Sequence, residues 1–71
     1  MITDESVVSF FNKMKNNNLI PNNTQFNSWK SEKKYVIIIY ELSGRWQRYR
    51  VNKDFIIMSI REDKINKILD K

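Results

Sequence analysis

The sequence holds no cysteine, no histidine, one glycine (Gly44) and one proline (Pro21). Each shortage removes a class of chemistry. Without cysteine no disulfide staples the chain, and without cysteine or histidine the usual ligands of a zinc site are missing. Histidine is the commonest general base and cysteine a ready nucleophile, so acid–base and thiol catalysis lose their usual agents. A phosphate-cradling loop needs several glycines, and a single one cannot build it. The carboxylates are Asp4, Glu5, Glu32, Glu41, Asp54, Glu62, Asp63 and Asp70, scattered along the chain. No two have a spacing that suggests a catalytic dyad. The adjacent Glu62-Asp63 reads as the acidic first turn of a helix, where the helix dipole favours negative charge. This inventory predicts a protein that is not an enzyme and carries no cofactor or metal.

Long hydrophobic runs are also missing. The longest is Val36-Ile37-Ile38-Ile39-Tyr40, far short of the ~20 residues that span a bilayer. Thr3, Asp4 and Glu5 stand where a secretory leader would carry positive charge. The expectation is a soluble, non-secreted protein with no membrane partner. The lack of cysteine suits a cytoplasmic location.

With 71 residues the chain makes one domain, 1–71, near the lower limit at which a hydrophobic core holds a fold alone. A core of this size nets roughly 3–5 kcal/mol, so a homodimer or docking on a larger partner is a natural way to add stability. The net charge is +5, a balance that suits nucleic acid, an anionic surface or an acidic protein and selects none of them.

The pattern of what is present divides the chain into elements. Residues 4–16 predict an amphipathic helix, because Val7, Phe10, Phe11 and Met14 recur at i, i+3, i+4 and i+7. Thr3 caps its start, Asp4 and Glu5 suit the positive end of its dipole, and Lys13 and Lys15 the negative end. Asn16-Asn17-Asn18 ends it, since asparagine tolerates a left-handed residue. Residues 17–33 read as a connector in which Leu19, Ile20, Phe26 and Trp29 pack as anchors, with a short helix at 24–31 as an option. Residues 34–42 are β-branched and aromatic, the composition of a strand. Ser43-Gly44 then makes a hairpin turn, and residues 45–51 return as a second strand. Asn52-Lys53-Asp54 turns the chain again. Residues 55–60 would be apolar all round a helix, which favours a third, buried strand. A helix follows over 60–71, with Ile65, Ile68 and Leu69 on one side and Ser59 and Glu62 at capping-box spacing. The predicted fold is α+β: α-β-β-β-α, an antiparallel three-stranded sheet with a β-hairpin at its centre, packed by helices.

One segment stands out. The chain has four arginines, and three of them, Arg45, Arg48 and Arg50, fall within Gly44-Arg45-Trp46-Gln47-Arg48-Tyr49-Arg50. Lys53 extends the run, and residues 44–53 contain no acid. Side chains alternate along a strand, so Trp46, Arg48 and Arg50 share one face while Arg45, Gln47, Tyr49 and Val51 share the other. A two-residue Ser43-Gly44 loop pairs Leu42 with Arg45 and sets Tyr49 opposite Ile38. A Gly44 bulge instead pairs Glu41 with Arg45 and sets Tyr49 opposite Ile37. In both registers Tyr49 and Val51 join the core. Trp46, Arg48 and Arg50 then form a row on the other side, which must be at least partly open to water because arginines are not buried cheaply without partners.

Such a row suits single-stranded DNA or RNA. Guanidinium groups pair bidentately with phosphate and an indole stacks on an unpaired base. On this reading Arg45, Trp46, Arg48, Arg50 and Lys53 form the nucleic-acid-binding set. An interaction module that docks on a protein partner uses the same residues differently, with Trp46 and Arg48 as interface anchors. A plain solvated strand accounts for them too, with arginine stems covering apolar neighbours, an arginine stacked on Trp46, and Glu41 paired to an arginine.

The element order is similar to that of double-stranded-RNA-binding domains. Those domains open their last helix with lysines after a glycine-rich turn. This chain has Arg61-Glu62-Asp63-Lys64 there and no glycine, so the resemblance is one of topology alone.

Overall fold

Thr3 begins the first helix as a cap should. Its Oγ1 accepts from the Ser6 amide at 3.2 Å while Ser6 Oγ accepts from the Thr3 amide at 2.8 Å, a capping box closed by serine. The computed structural model describes residues 2–69, and from residue 65 onward the backbone alone. Helix α1 runs Asp4–Asn16 and buries Val7, Phe11 and Met14. Asn18 ends it in the left-handed region, at φ 61°. The Leu19 amide then donates to Met14 O at 2.9 Å and the Asn18 amide to Lys15 O at 3.1 Å. This is the Schellman arrangement, which satisfies the carbonyls a helix end leaves free.

Three antiparallel strands follow: β1 Thr24–Ser31, β2 Tyr35–Leu42 and β3 Arg45–Asn52, in the order β1-β2-β3. Helix α2, Lys53–Leu69, closes the α-β-β-β-α order. The fold class is the one expected, but two of its elements lie elsewhere in the chain than predicted. Residues 24–31 form a strand rather than a connector or short helix. A bulge between Phe26 and Ser28 shifts the register, so Thr24, Phe26 and Trp29 all share the face opposite Leu42, Tyr40 and Ile38. The inward spacing is therefore two and then three, which hides the alternation that marks a strand. Ile20, Phe26 and Trp29 do pack on the core, whereas Leu19 is 63 % exposed rather than an anchor.

Residues 55–60 lie in α2, not in a third strand. Ile56 is fully buried while Phe55 and Met58 point outward, 59 % and 54 % exposed. All-round apolarity does not mark a strand here, because this helix leaves Phe55 and Met58 exposed on one side. Asn52 caps it, its Oδ1 accepting from the Asp54 amide at 2.9 Å. Ser59 is consequently not a cap, and Glu62-Asp63 sit more than two turns inside the helix rather than in its first turn. Ser59 is buried against α1, where its Oγ meets Lys13 Nζ at 2.7 Å. Lys13 Nζ also pairs with Asp63 at 2.6 Å, and Ser9 Oγ donates to Asp63 at 3.4 Å. Contacts of 13 with 59 and of 9 with 63 show that the helices run antiparallel. The side chains of the expected stripe, Ile65, Ile68 and Leu69, lie outside the described part of the structure.

Both helices pack on one face of the sheet. Val36, Ile38 and Tyr40 from β2 and Val51 from β3 meet Val7, Phe11, Met14, Ile20 and Ile56 there. Phe11 lies edge-on to Phe26 at 5.6 Å and tilted to Tyr40 at 5.8 Å. Such aromatic pairs add about 0.5–1.5 kcal/mol each beyond the area they bury. At the rim Trp29 Nε1 donates to Asp4 Oδ1 at 2.6 Å, tying β1 to the start of α1. Among the described residues no helix is long and apolar enough to cross a membrane.

Candidate nucleic-acid interface

The hairpin turn decides the face. Ser43 and Gly44 have φ of 53° and 79°, and two positive values at the central positions define a type I′ turn, whose twist matches that of the flanking strands. The two-residue loop is thus the register adopted, with Leu42 opposite Arg45 and Tyr49 opposite Ile38. Tyr49 and Val51 face the helices, as either register required.

On the reverse of the sheet β3 contributes Trp46, Arg48, Arg50 and Asn52, opposite Glu41, Ile39, Ile37 and Tyr35 of β2. The β1 side adds Gln25, Ser28 and Lys30, opposite Glu41, Ile39 and Ile37. Among the described residues no helix covers this face. Tyr35, Ile37 and Ile39 are half-buried along its middle, and Arg48 and Arg50 are exposed. Trp46 is 62 % exposed at the hairpin end. Along β3 the row from Trp46 to Asn52 extends about 20 Å at the usual rise of a strand.

Electrostatically the face is left positive. Among the described residues neither Arg48, Arg50 nor Lys30 has a carboxylate partner; the ion pair found there joins Lys13 to Asp63 between the helices. Glu41 is the face's carboxylate and stands across from Trp46 without pairing to an arginine. The Arg50 guanidinium lies 4.6 Å from the centre of the Tyr35 ring. That cation–π contact orients it while its donors stay available. The arginine–aromatic stack is therefore made by Tyr35, and among the described residues no cation lies over the Trp46 ring.

The five residues singled out in the sequence separate into three places. Trp46, Arg48 and Arg50 share the open face. Arg45 lies opposite Leu42 on the helix side, exposed at the hairpin corner. Lys53 opens α2, half-buried beside a shallow recess that Lys33 and Lys34 also line. Lys30 joins the open face although sequence reasoning passed it over. Its signal was alternation with Ser28 on β1, legible only once 24–31 is known to be a strand. No family model, no curated protein and no solved structure matches the chain.

Proposed function

We propose that the chain is a small, non-catalytic accessory protein that binds single-stranded DNA or RNA on the open face of its sheet. The carrying observation is the row of Trp46, Arg48 and Arg50 on an uncovered face, with both guanidinium groups free of carboxylates among the described residues. Trp46 stacks on a base, a contact worth about 1–3 kcal/mol per base. Arg48, Arg50 and Lys30 hold the backbone, and the apolar strip of Ile37 and Ile39 receives the flank of a neighbouring base. Arg45 and Lys53 add long-range attraction from the two ends. The cytoplasm is the location that goes with this role, supported by a sequence without cysteine.

Titration of labelled oligo-dT and oligo-U at ~50 mM salt tests the proposal. Wild type is expected to bind at micromolar strength or somewhat weaker. With about three phosphates neutralised, log affinity should fall against log salt with a slope near −2. Trp46→Ala combined with Arg48→Glu should weaken binding about tenfold or more while leaving the fold intact, because both side chains are exposed. No binding of wild type to either oligonucleotide ends the proposal. A second reading, a module that docks on a protein partner, is favoured by the exposed apolar side chains of Leu19, Phe55 and Met58.

A further inference from the structure

Strand β3 lies at one edge of the sheet, and its outer margin is separate from the side chains on the open face. In a type I′ hairpin the Arg45 amide points to Leu42 across the turn. Alternation along an antiparallel ladder then turns the backbone groups of Gln47, Tyr49 and Val51 toward β2 and those of Trp46, Arg48 and Arg50 outward. Lys53 bears this out, for it has the parity of Arg45 and its amide donates inward to Lys34 O at 2.9 Å. Among the described residues, nothing bonds to the outward N–H and C=O groups of Trp46, Arg48 and Arg50.

A groove of about 270 Å³ runs beside this edge. Tyr49 through Asn52 form one wall, and Phe10, Leu19 and Phe55 form the other. Because the β3 wall includes consecutive residues of both faces, the groove follows the strand's margin rather than one side of the sheet. Leu19 and Phe55, 63 % and 59 % exposed, leave apolar surface there without a cover. On the other side of the same edge stand Arg48 and Arg50, neither paired with a carboxylate among the described residues.

We propose that the outer edge of β3 accepts an extended peptide segment of a partner protein as a fourth strand, and that this segment alternates apolar and acidic residues. Main-chain bonds to Trp46, Arg48 and Arg50 supply the ladder, and alternate side chains supply the selectivity, as in other strand-addition complexes. Side chains on the helix side enter the groove against Leu19, Phe10 and Phe55. Those on the open side lie about 5 Å from Arg48 and Arg50, the cross-strand distance at which opposite charges stabilise and like charges repel. The same rule disfavours a second copy of β3 as the occupant, since self-pairing brings together two strands that each carry three arginines and no acid. The β1 edge is a poorer acceptor because its bulge at residues 26–28 breaks the ladder.

The probe is a synthetic nine-residue peptide alternating valine and glutamate, compared with one alternating valine and lysine and with one in which the valines and glutamates form separate blocks. Amide hydrogen exchange read by NMR is the primary measurement. Saturating valine–glutamate peptide should slow exchange at Trp46, Arg48 and Arg50 at least tenfold. The other two peptides should leave these amides unchanged. Arg48→Pro removes one outward donor without touching the ladder to β2, a substitution that edge strands accept. It should weaken binding at least tenfold, and more than Arg48→Ala, which removes the charge alone. Leu19→Asp, at an exposed position of the groove, should weaken it comparably. The inference is overturned if the valine–glutamate peptide at 1 mM leaves the three amides unprotected, if the block peptide protects them equally, or if Arg48→Pro and Arg48→Ala are indistinguishable. Protection of those amides by oligo-dT but not by peptide would assign the edge to nucleic acid instead. Oligonucleotide binding that persists when the peptide fails would overturn this inference and leave the open-face reading standing.

Discussion

Lys13 and Ser43 show how much of this fold rests on single side chains. Lys13 reaches across from α1 to the buried Ser59 hydroxyl at 2.7 Å and to Asp63 at 2.6 Å. The lysine and aspartate side chains remain 33 % and 39 % exposed, so the ion pair itself is screened and contributes little. Losing the partner of the buried hydroxyl matters more. Lys13→Ala is expected to lower unfolding free energy by about 1–2 kcal/mol, read as a lower urea midpoint at unchanged slope. At the hairpin, Ser43 occupies φ 53° without being glycine, a backbone region that costs a residue with a Cβ roughly 1–2 kcal/mol. Ser43→Asn restores the favoured turn dipeptide and should raise the melting temperature by several degrees. Gly44→Ala should lower it, although a Cβ there meets nothing within 4 Å. The loss comes from φ 79° alone.

Among the elements, α1 and the hairpin are legible in sequence because one periodicity governs each. The inward Val7, Phe11 and Met14 keep helical spacing, and the β2 residues Val36, Ile38 and Tyr40 alternate without interruption. Strand β1 breaks its own period with a bulge, and α2 carries apolar residues on two sides. In both, local pattern and tertiary role disagree. The assignment of 53–69 as a helix makes a sharp prediction for two adjacent residues. Ile56→Ala should destabilise by about 2–5 kcal/mol, since it empties a fully buried site. Phe55→Ser, one residue away and 59 % exposed, should change stability by about 0.5 kcal/mol or less. Equal losses at the two positions, measured by denaturant unfolding, would contradict this packing. The candidate face was half legible for the same reason. Trp46, Arg48 and Arg50 were found by alternation along β3, whereas Lys30 waited on β1.

At the scale of the whole molecule, the helices take one side of the sheet and leave the other to solvent. The charge that this leaves exposed argues against self-association through β3, since two copies of this strand would crowd six arginines together with no acid among them. Light scattering at low salt is expected to return the monomer mass of 8.6 kDa, and a mass of twice that value would show that another surface joins two copies. By itself the sequence determined the first helix with both its caps, the hairpin, and the sharing of one face by Trp46, Arg48 and Arg50. These follow from local periodicity and turn chemistry, which act over a few residues. Only the tertiary structure decided which hairpin register forms, which segment supplies the third strand, that Leu19 and Phe55 stay exposed, and that β3 has a free edge beside an apolar groove. Those outcomes depend on contacts between residues distant in the chain, such as Lys13 with Ser59 and Phe11 with Tyr40, which no local pattern encodes.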